Sequence, residues 1–184
     1  YEKLTRNTHL VRSDHNNHSR RDIEVIPSTS YSHEFENMSE TRVGTGDAYI
    51  VSVDYFDQNG DVVKHIHCND TLCVRVTVFS KFEFSRVVSG MTLKNANGFD
   101  AWGDNSDFAG IRIKLKPGLN FIDYTFCAAL TPGPYYLFTG IADVSGARVD
   151  LDQRWPVRKL RVYGERQMVG MAYAPAEIKF GSLS

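Results

Sequence analysis

The chain has 184 residues, enough for one hydrophobic core with a tail and too few for two full domains. Its hydrophobic share of 42% and aromatic share of 12% point toward β structure. A formal net charge of −1 excludes the basic excess of a nucleic-acid binder, and no run reaches the roughly 18 apolar residues of a membrane span.

Residues 1–42 are polar and irregular, dominated by Ser, Asn, His and Arg, with no apolar stretch of the secretion-signal kind. They read as a linker or arm, and the sequence as that of a soluble protein. Within the arm, Ile23, Glu24, Val25 and Ile26 suit a short strand that Pro27 stops, because proline removes a ladder donor. The compact domain is assigned to 43–184. Tyr49, Val51, Val53 and Tyr55 alternate with Ile50, Ser52, Asp54 and Phe56, which predicts a strand with one buried face. A turn follows at Asp57-Gln58-Asn59-Gly60-Asp61, whose Asn-Gly pair tolerates the positive φ of a tight hairpin. On the next strand Leu72, Val74, Val76 and Val78 point one way, and Cys73, Arg75, Thr77 and Phe79 the other. A third strand covers 87–95, and Asn97-Gly98 repeats the turn chemistry. Ile111, Ile113 and Leu115 alternate with Arg112, Lys114 and Lys116, a strand with a basic outer face that Pro117-Gly118 ends. Ile122, Tyr124, Phe126 and Ala128 make another inward row, and Thr131-Pro132-Gly133-Pro134 is a turn no helix would contain. Strands at 135–144, 149–155, 157–163 and 171–180 complete the series. About nine or ten short strands without βαβ alternation predict an all-β fold, an immunoglobulin-like or jelly-roll antiparallel β-sandwich with an irregular N-terminal arm. Spacing alone does not choose between those two topologies.

The chain contains no Gly-x-x-x-x-Gly-Lys-Ser/Thr loop to cradle a nucleotide, so the domain is not itself an ATPase. A Gly-x-Ser-x-Gly elbow is also absent. The three cysteines, Cys68, Cys73 and Cys127, read as free thiols of a reducing compartment, with a Cys68–Cys73 bridge as the alternative. His65 and His67 share one strand face, but two ligands are not a metal site, and surface polar residues explain them. His9, His15 and His18 belong to the polar arm. Asp57, Asn59 and Asp61 have the oxygen spacing of a calcium loop without its later glutamate, and a hairpin turn accounts for them. Asp104-Asn105-Ser106-Asp107 suits a cation, a sugar or a plain polar loop. Asp54, Asp123 and Asp143 lie at strand positions where a glycosidase pair could stand, but solvated sheet-face residues are the better explanation.

Aromatic and amide chemistry near loops is more informative: Trp102-Gly103-Asp104-Asn105, Pro134-Tyr135-Tyr136 and Arg154-Trp155. Sugars pack flat C–H faces on aromatic rings, and their hydroxyls take Asp, Asn and Arg partners in place of water. The same residue types also suit an ordinary sandwich core.

From Gly44 to Tyr163 a series of elements appears in a telling order. Gly44-Thr45-Gly46-Asp47-Ala48 leads into Val51 and Val53, then come Asp57 and Gly60, Asn69-Asp70 before the strand 72–78, Gly90, Asn97-Gly98, Leu130, Gly133 and Tyr135, and Gly140-Ile141. In this order and spacing, over some two-thirds of the chain, the sequence resembles the Wzt C-terminal domain family, carbohydrate-binding sandwiches fused to the ATP-binding subunit of O-antigen polysaccharide ABC transporters. It departs from the family at Asn69-Asp70, where Gly-Glu is common, and at Trp102-Gly103-Asp104-Asn105, where a Gly-Thr-Asn type of run is commoner. The resemblance implies a non-catalytic module that recognises the terminally modified O-antigen polysaccharide. Its expected partners are that glycan, the transporter's membrane subunit through the full-length protein, and a second copy of itself, with exchange of the 171–180 strand as one arrangement. It implies no cofactor in this domain, with ATP and Mg confined to an ATPase domain ahead of the arm. A cytoplasmic location at the inner face of the bacterial inner membrane is implied as well. The carbohydrate-binding candidates are Arg75 and Thr77 on an outward strand face, Trp102, Asp104 and Asn105 on a loop, Tyr136 on a later strand, and Arg154 and Trp155. A protein-binding or adhesive sandwich and a sugar-active hydrolase are the competing readings.

Overall fold

The structure, a computed structural model, describes residues 39–179. The expected strand at Ile23 to Ile26 and the histidines of the arm lie outside them. Ten strands follow one another: β1 (Thr41–Val43), β2 (Ala48–Phe56), β3 (His65–His67), β4 (Thr71–Ser80), β5 (Phe84–Asn95), β6 (Asp100–Asn105), β7 (Ile113–Leu115), β8 (Gly118–Cys127), β9 (Gly133–Asp143) and β10 (Val149–Tyr163). No described residue is helical. The strands form two sheets. The larger runs β1-β10-β9-β5-β6, with β3 also on β10 and β7 also on β5, and the smaller runs β2-β4-β8. All pairings are antiparallel except β3 with β10, a parallel pair the hairpin-based sequence pattern could not foresee.

The core lies between the sheets because alternate residues of each strand point inward. Leu72, Val74, Val76 and Val78 of β4 are each 0% exposed, and Leu93, Leu137, Ile141 and Leu160 meet them from the larger sheet. Each such side chain contributes about 1.5–3 kcal/mol by leaving water.

The alternation predicted for β2 breaks at its first half. Ile50 pairs with Val78 and Ser52 with Thr77, so Val51 is an extra residue opposite one partner residue. Such a bulge reverses the phase of the side chains on either side. Ala48 and Ile50 therefore point inward along with Val53 and Tyr55, while Val51 is turned out and is 41% exposed.

Other boundaries differ from the sequence reading as well: the strand with the basic outer face shrinks to Ile113–Leu115, leaving Ile111 exposed, and β5 starts at Phe84. β1 starts at Thr41, inside the stretch read as arm, because Arg42 and its neighbours pair with β10. The two expected strands at 149–155 and 157–163 are one, β10, with a register shift between Arg154 and Arg158 around the cis Trp155–Pro156 bond. Of the expected strand at 171–180, the described part makes a single bridge, Leu130 to Ala172, and no further ladder with the described residues.

The two open sides of the sandwich are closed by different chemistry. On the β1/β10 side, ion pairs reach across to β2. Asp152 accepts from Arg42 through Nε and Nη2, both at 2.7 Å, and from the Ile50 amide at 2.7 Å. Arg154 donates to Glu40 and to the Ile50 carbonyl, and Arg158 to Asp54 and the Val53 carbonyl. On the β6/β8 side the closure is aromatic: Trp102 stacks on Phe126, and the Tyr124 hydroxyl donates to Ser89 Oγ at 2.8 Å.

Candidate functional site

Two of the three strands of the smaller sheet lie at its margins, and its outer face is open to solvent. The register sets out that face row by row: Tyr49, Phe79 and Leu119; then Ser52, Thr77 and Phe121; then Asp54, Arg75 and Asp123; then Phe56, Cys73 and Thr125. A solvated sheet face is ordinarily polar at these positions. Here Leu119 is 71% and Phe121 63% exposed, and Tyr49 and Phe79 pack ring to ring at 5.3 Å.

Arg75 stands at the centre. Its Nε and Nη2 donate to the two carboxylate oxygens of Asp123 at 2.8 and 2.7 Å, and its guanidinium lies 4.7 Å from the Phe121 ring centroid and 5.4 Å from that of Phe56. The Asp123 hydrogen bonds raise its already high pKa further, so it stays cationic. Beside it opens a pocket of about 390 Å³ lined by Phe56, Asp57, Gln58, Gly60, Thr71, Cys73, Arg75 and Thr125, a size within the range of small-ligand sites. The loop that walls it is fixed by Asp57, whose Oδ1 accepts the amides of Asn59 at 2.8 Å and Asp61 at 3.0 Å. Those amides, Asp61 foremost, hold the Asp57 carboxyl below the usual carboxylate range.

Of the carbohydrate-binding candidates drawn from sequence, this face unites Arg75 and Thr77 and no others, beside Asp54 and Asp123, which the sequence offered only as glycosidase carboxylates. Trp102, Asp104 and Asn105 are not on a loop: they belong to β6, because their backbones pair with Leu93, Met91 and Gly90 of β5. Trp102 faces the sandwich interior against Phe126, Asp104 stands beside it near Tyr124, and the Asn105 side chain accepts the Phe108 amide at 2.8 Å. Burial pushes the Tyr124 hydroxyl up to about 12. Tyr136 lies on the outer face of the larger sheet between Lys94 and Lys159. Arg154 is 5% exposed and committed to Glu40 and the Ile50 carbonyl, which removes it from a surface. Trp155 is half-buried opposite Thr41, away from the open face.

Sequence reasoning missed Phe56, Phe121 and Thr125 as binding candidates, and it offers Asp123 only as a hydrolytic carboxylate. A signal was present: β8 carries apolar residues in both phases, Ile122, Tyr124 and Phe126 inward and Leu119 and Phe121 outward.

The alternative chemistries find little support in the geometry. Cys68, Cys73 and Cys127 are free, with no Cys68–Cys73 bridge. Among the described residues, no three His, Cys, Asp or Glu side chains gather as a metal site. Asp54 is held by Arg158 and Asp123 by Arg75, while Asp143 accepts the Ser145 amide. None is the solitary carboxyl in apolar surroundings that a glycosidase acid requires. No described helix is long and apolar enough to cross a membrane.

Comparison with solved structures finds the same sandwich in a crystal structure of the C-terminal domain of Wzt, at a TM-score of 0.69 and 23% identity, over 76% of this chain and 87% of that one. At that identity the likeness is one of fold. Looser superpositions relate it to a β-galactosidase from Bacteroides fragilis (TM-score 0.40, 16% identity, 59% of this chain and 17% of that one) and to a Niemann-Pick type C2 protein from the Japanese carpenter ant (0.43, 7%, 65% and 97%). No curated protein matches the chain in sequence. The family model described as Wzt C-terminal domain matches residues 39–173, which takes in every strand from β1 to β10, and the chain belongs to that family.

Proposed function

We propose that this chain binds the O-antigen polysaccharide of an ABC exporter on the outer face of β2, β4 and β8. One observation carries the reading: an exposed ring and aliphatic side chains, Phe121, Leu119 and Val51, cover a solvent-facing sheet around a clamped arginine, beside a mainly apolar pocket that includes Thr71, Thr125 and Gln58. Rings suit the C–H faces of sugars, and Arg75, Thr77, Thr125, Thr71 and Gln58 offer partners to their hydroxyls. Domains of this family are non-catalytic sandwiches, and the chain acts by binding alone. In the full subunit, an ATPase domain would supply the nucleotide chemistry, and the glycan would be handed to the membrane subunit at the inner face of the inner membrane.

Titration of the purified chain with O-polysaccharide from the source strain tests this. Alanine at Arg75 and Phe121 together is expected to abolish binding while the circular dichroism of the sandwich persists. Retention of full affinity by that folded double variant would falsify the assignment of this face.

A homodimer is proposed alongside, from the C-terminal segment. After β10, residues 164–179 touch the body through few backbone bonds, Thr131 N to Met171 O at 3.1 Å and Tyr173 N to Ala129 O at 2.9 Å, and Val169 and Ile178 are left exposed. Such a segment suits pairing with a partner's sheet edge. Sedimentation of the chain with and without residues 165–184 tests it, and a monomer in both cases refutes it.

A further inference from the structure

The open face holds one arginine among three carboxylates: Arg75, with Asp54 and Asp123 in its own row and Asp57 at the pocket wall. Arg75 is already occupied. The two-pronged contact it makes with Asp123 is the geometry by which a guanidinium otherwise grips a ligand's carboxylate or phosphate. Asp123 thus stands where an anionic ligand group would sit. The Phe56 and Phe121 rings lie close to the same guanidinium, which leaves its Nη1 end as a donor suited to a hydroxyl.

The remaining charges do not restore an anion site. Asp54 is matched by Arg158, whose Nη1 reaches it from β10 at 3.0 Å. Asp57 takes amide hydrogen bonds from its own loop, and no ion pair joins it to another described residue. A phosphate or uronate approaching this face would therefore meet a neutral pair and a negative rim. An uncharged sugar would meet rings, hydroxyls and the apolar Leu119 and Val51, which suit the methyl of a deoxy-sugar or an O-methyl group.

Resting on the glycan-binding role assigned to this face, we propose that it selects uncharged glycan, and that Asp123 determines this by withholding Arg75 from anionic groups. Oligosaccharides cut from the source strain's O-polysaccharide, prepared with either an O-methyl or a phosphate on one terminal hydroxyl, test the idea when titrated into the wild-type chain, D123N and D123E. The wild type is expected to bind the methyl-capped chains at least about tenfold more tightly, like charges being costly at a binding surface, with little change as salt is raised. D123N should narrow or reverse that ratio and make phosphate-cap binding salt-sensitive, whereas D123E should keep the wild-type preference. Equal or tighter wild-type binding of the phosphate cap, or a ratio unmoved in folded D123N, overturns the inference and leaves glycan binding intact. If neither series nor the source strain's own polysaccharide binds, the glycan-binding role falls, and the selectivity with it.

Discussion

The Trp102 indole lies flat on the Phe126 ring, their centroids 3.7 Å apart and their planes 9° from parallel. The contact joins β6 of one sheet to β8 of the other, and so closes one side of the sandwich. Trp102→Ala removes a half-buried ring from this seam, and we expect a loss of about 2–3 kcal/mol in urea unfolding, below the range for a fully buried aromatic. The glycan affinity of the folded fraction should be unchanged. Loss of binding at unaltered stability would return Trp102 to the ligand site.

On the opposite side the Asp152 carboxylate is 3% exposed and serves both Arg42 and the Ile50 amide. Asp152→Ala leaves both donors without their acceptor, and breaking a buried pair from one side costs about 3–5 kcal/mol. Arg42→Ala should cost less, since Asp152 keeps the Ile50 amide. Equal destabilisation by the two variants in the same unfolding assay would contradict this ordering.

Tyr55 is fully buried, and its hydroxyl has no hydrogen-bond partner among the described residues. An unsatisfied buried hydroxyl costs about 1–3 kcal/mol. Tyr55→Phe keeps the ring, over which Arg158 lies at 4.9 Å, and discards the orphaned oxygen. The variant should be as stable as the wild type or about 1 kcal/mol more stable. A clear fall in thermal midpoint would reveal an unseen partner for the hydroxyl, such as a buried water.

Burial raises the pKa of Tyr124 from 10.0 to about 12 and that of Tyr55 further still. Above pH 10 the unfolded chain loses these protons while the folded chain keeps them, so the unfolded state is favoured as pH rises. Stability from Tyr124 is thus complete below pH 10 and lost progressively toward pH 12. Unfolding free energy measured across this interval should fall less steeply in a Y55F/Y124F variant. Identical slopes would show that neither tyrosine is linked to folding.

Gly44 has φ of +150°, and a Cβ there would come within 2.3 Å of the Leu151 carbonyl oxygen on β10. Both the backbone angle and the neighbouring main chain forbid a side chain. Gly44→Ala should destabilise by more than about 3 kcal/mol, beyond the ordinary surface substitution, or yield insoluble protein. Gly60→Ala, at a φ of +84° but in open space, should cost about 1 kcal/mol. Melting temperatures of the pair check the contrast.

Local patterning decided much of this protein before any tertiary contact. Alternation along β4 and β8 and the turn at Asn97-Gly98 are properties of neighbouring residues, so strand identity and the all-β class could be read directly, and the ordered series from Gly44 onward carried the family. Sheet membership is not local. That Val51 would be extruded as a bulge depends on its register against Thr77 and Val78, and that β6 would be a strand depends on β5 offering it an edge. The candidate site was lost for the same reason. Arg75 was visible as an outward residue, but its partner Asp123 is 48 residues away, and only the pairing of β4 with β8 makes them one group. Likewise, Arg154 looked like a surface cation until β1 and β2 enclosed it. A sequence specifies which side chains share a strand face, whereas long-range pairing specifies which faces meet, and binding surfaces are made by the second.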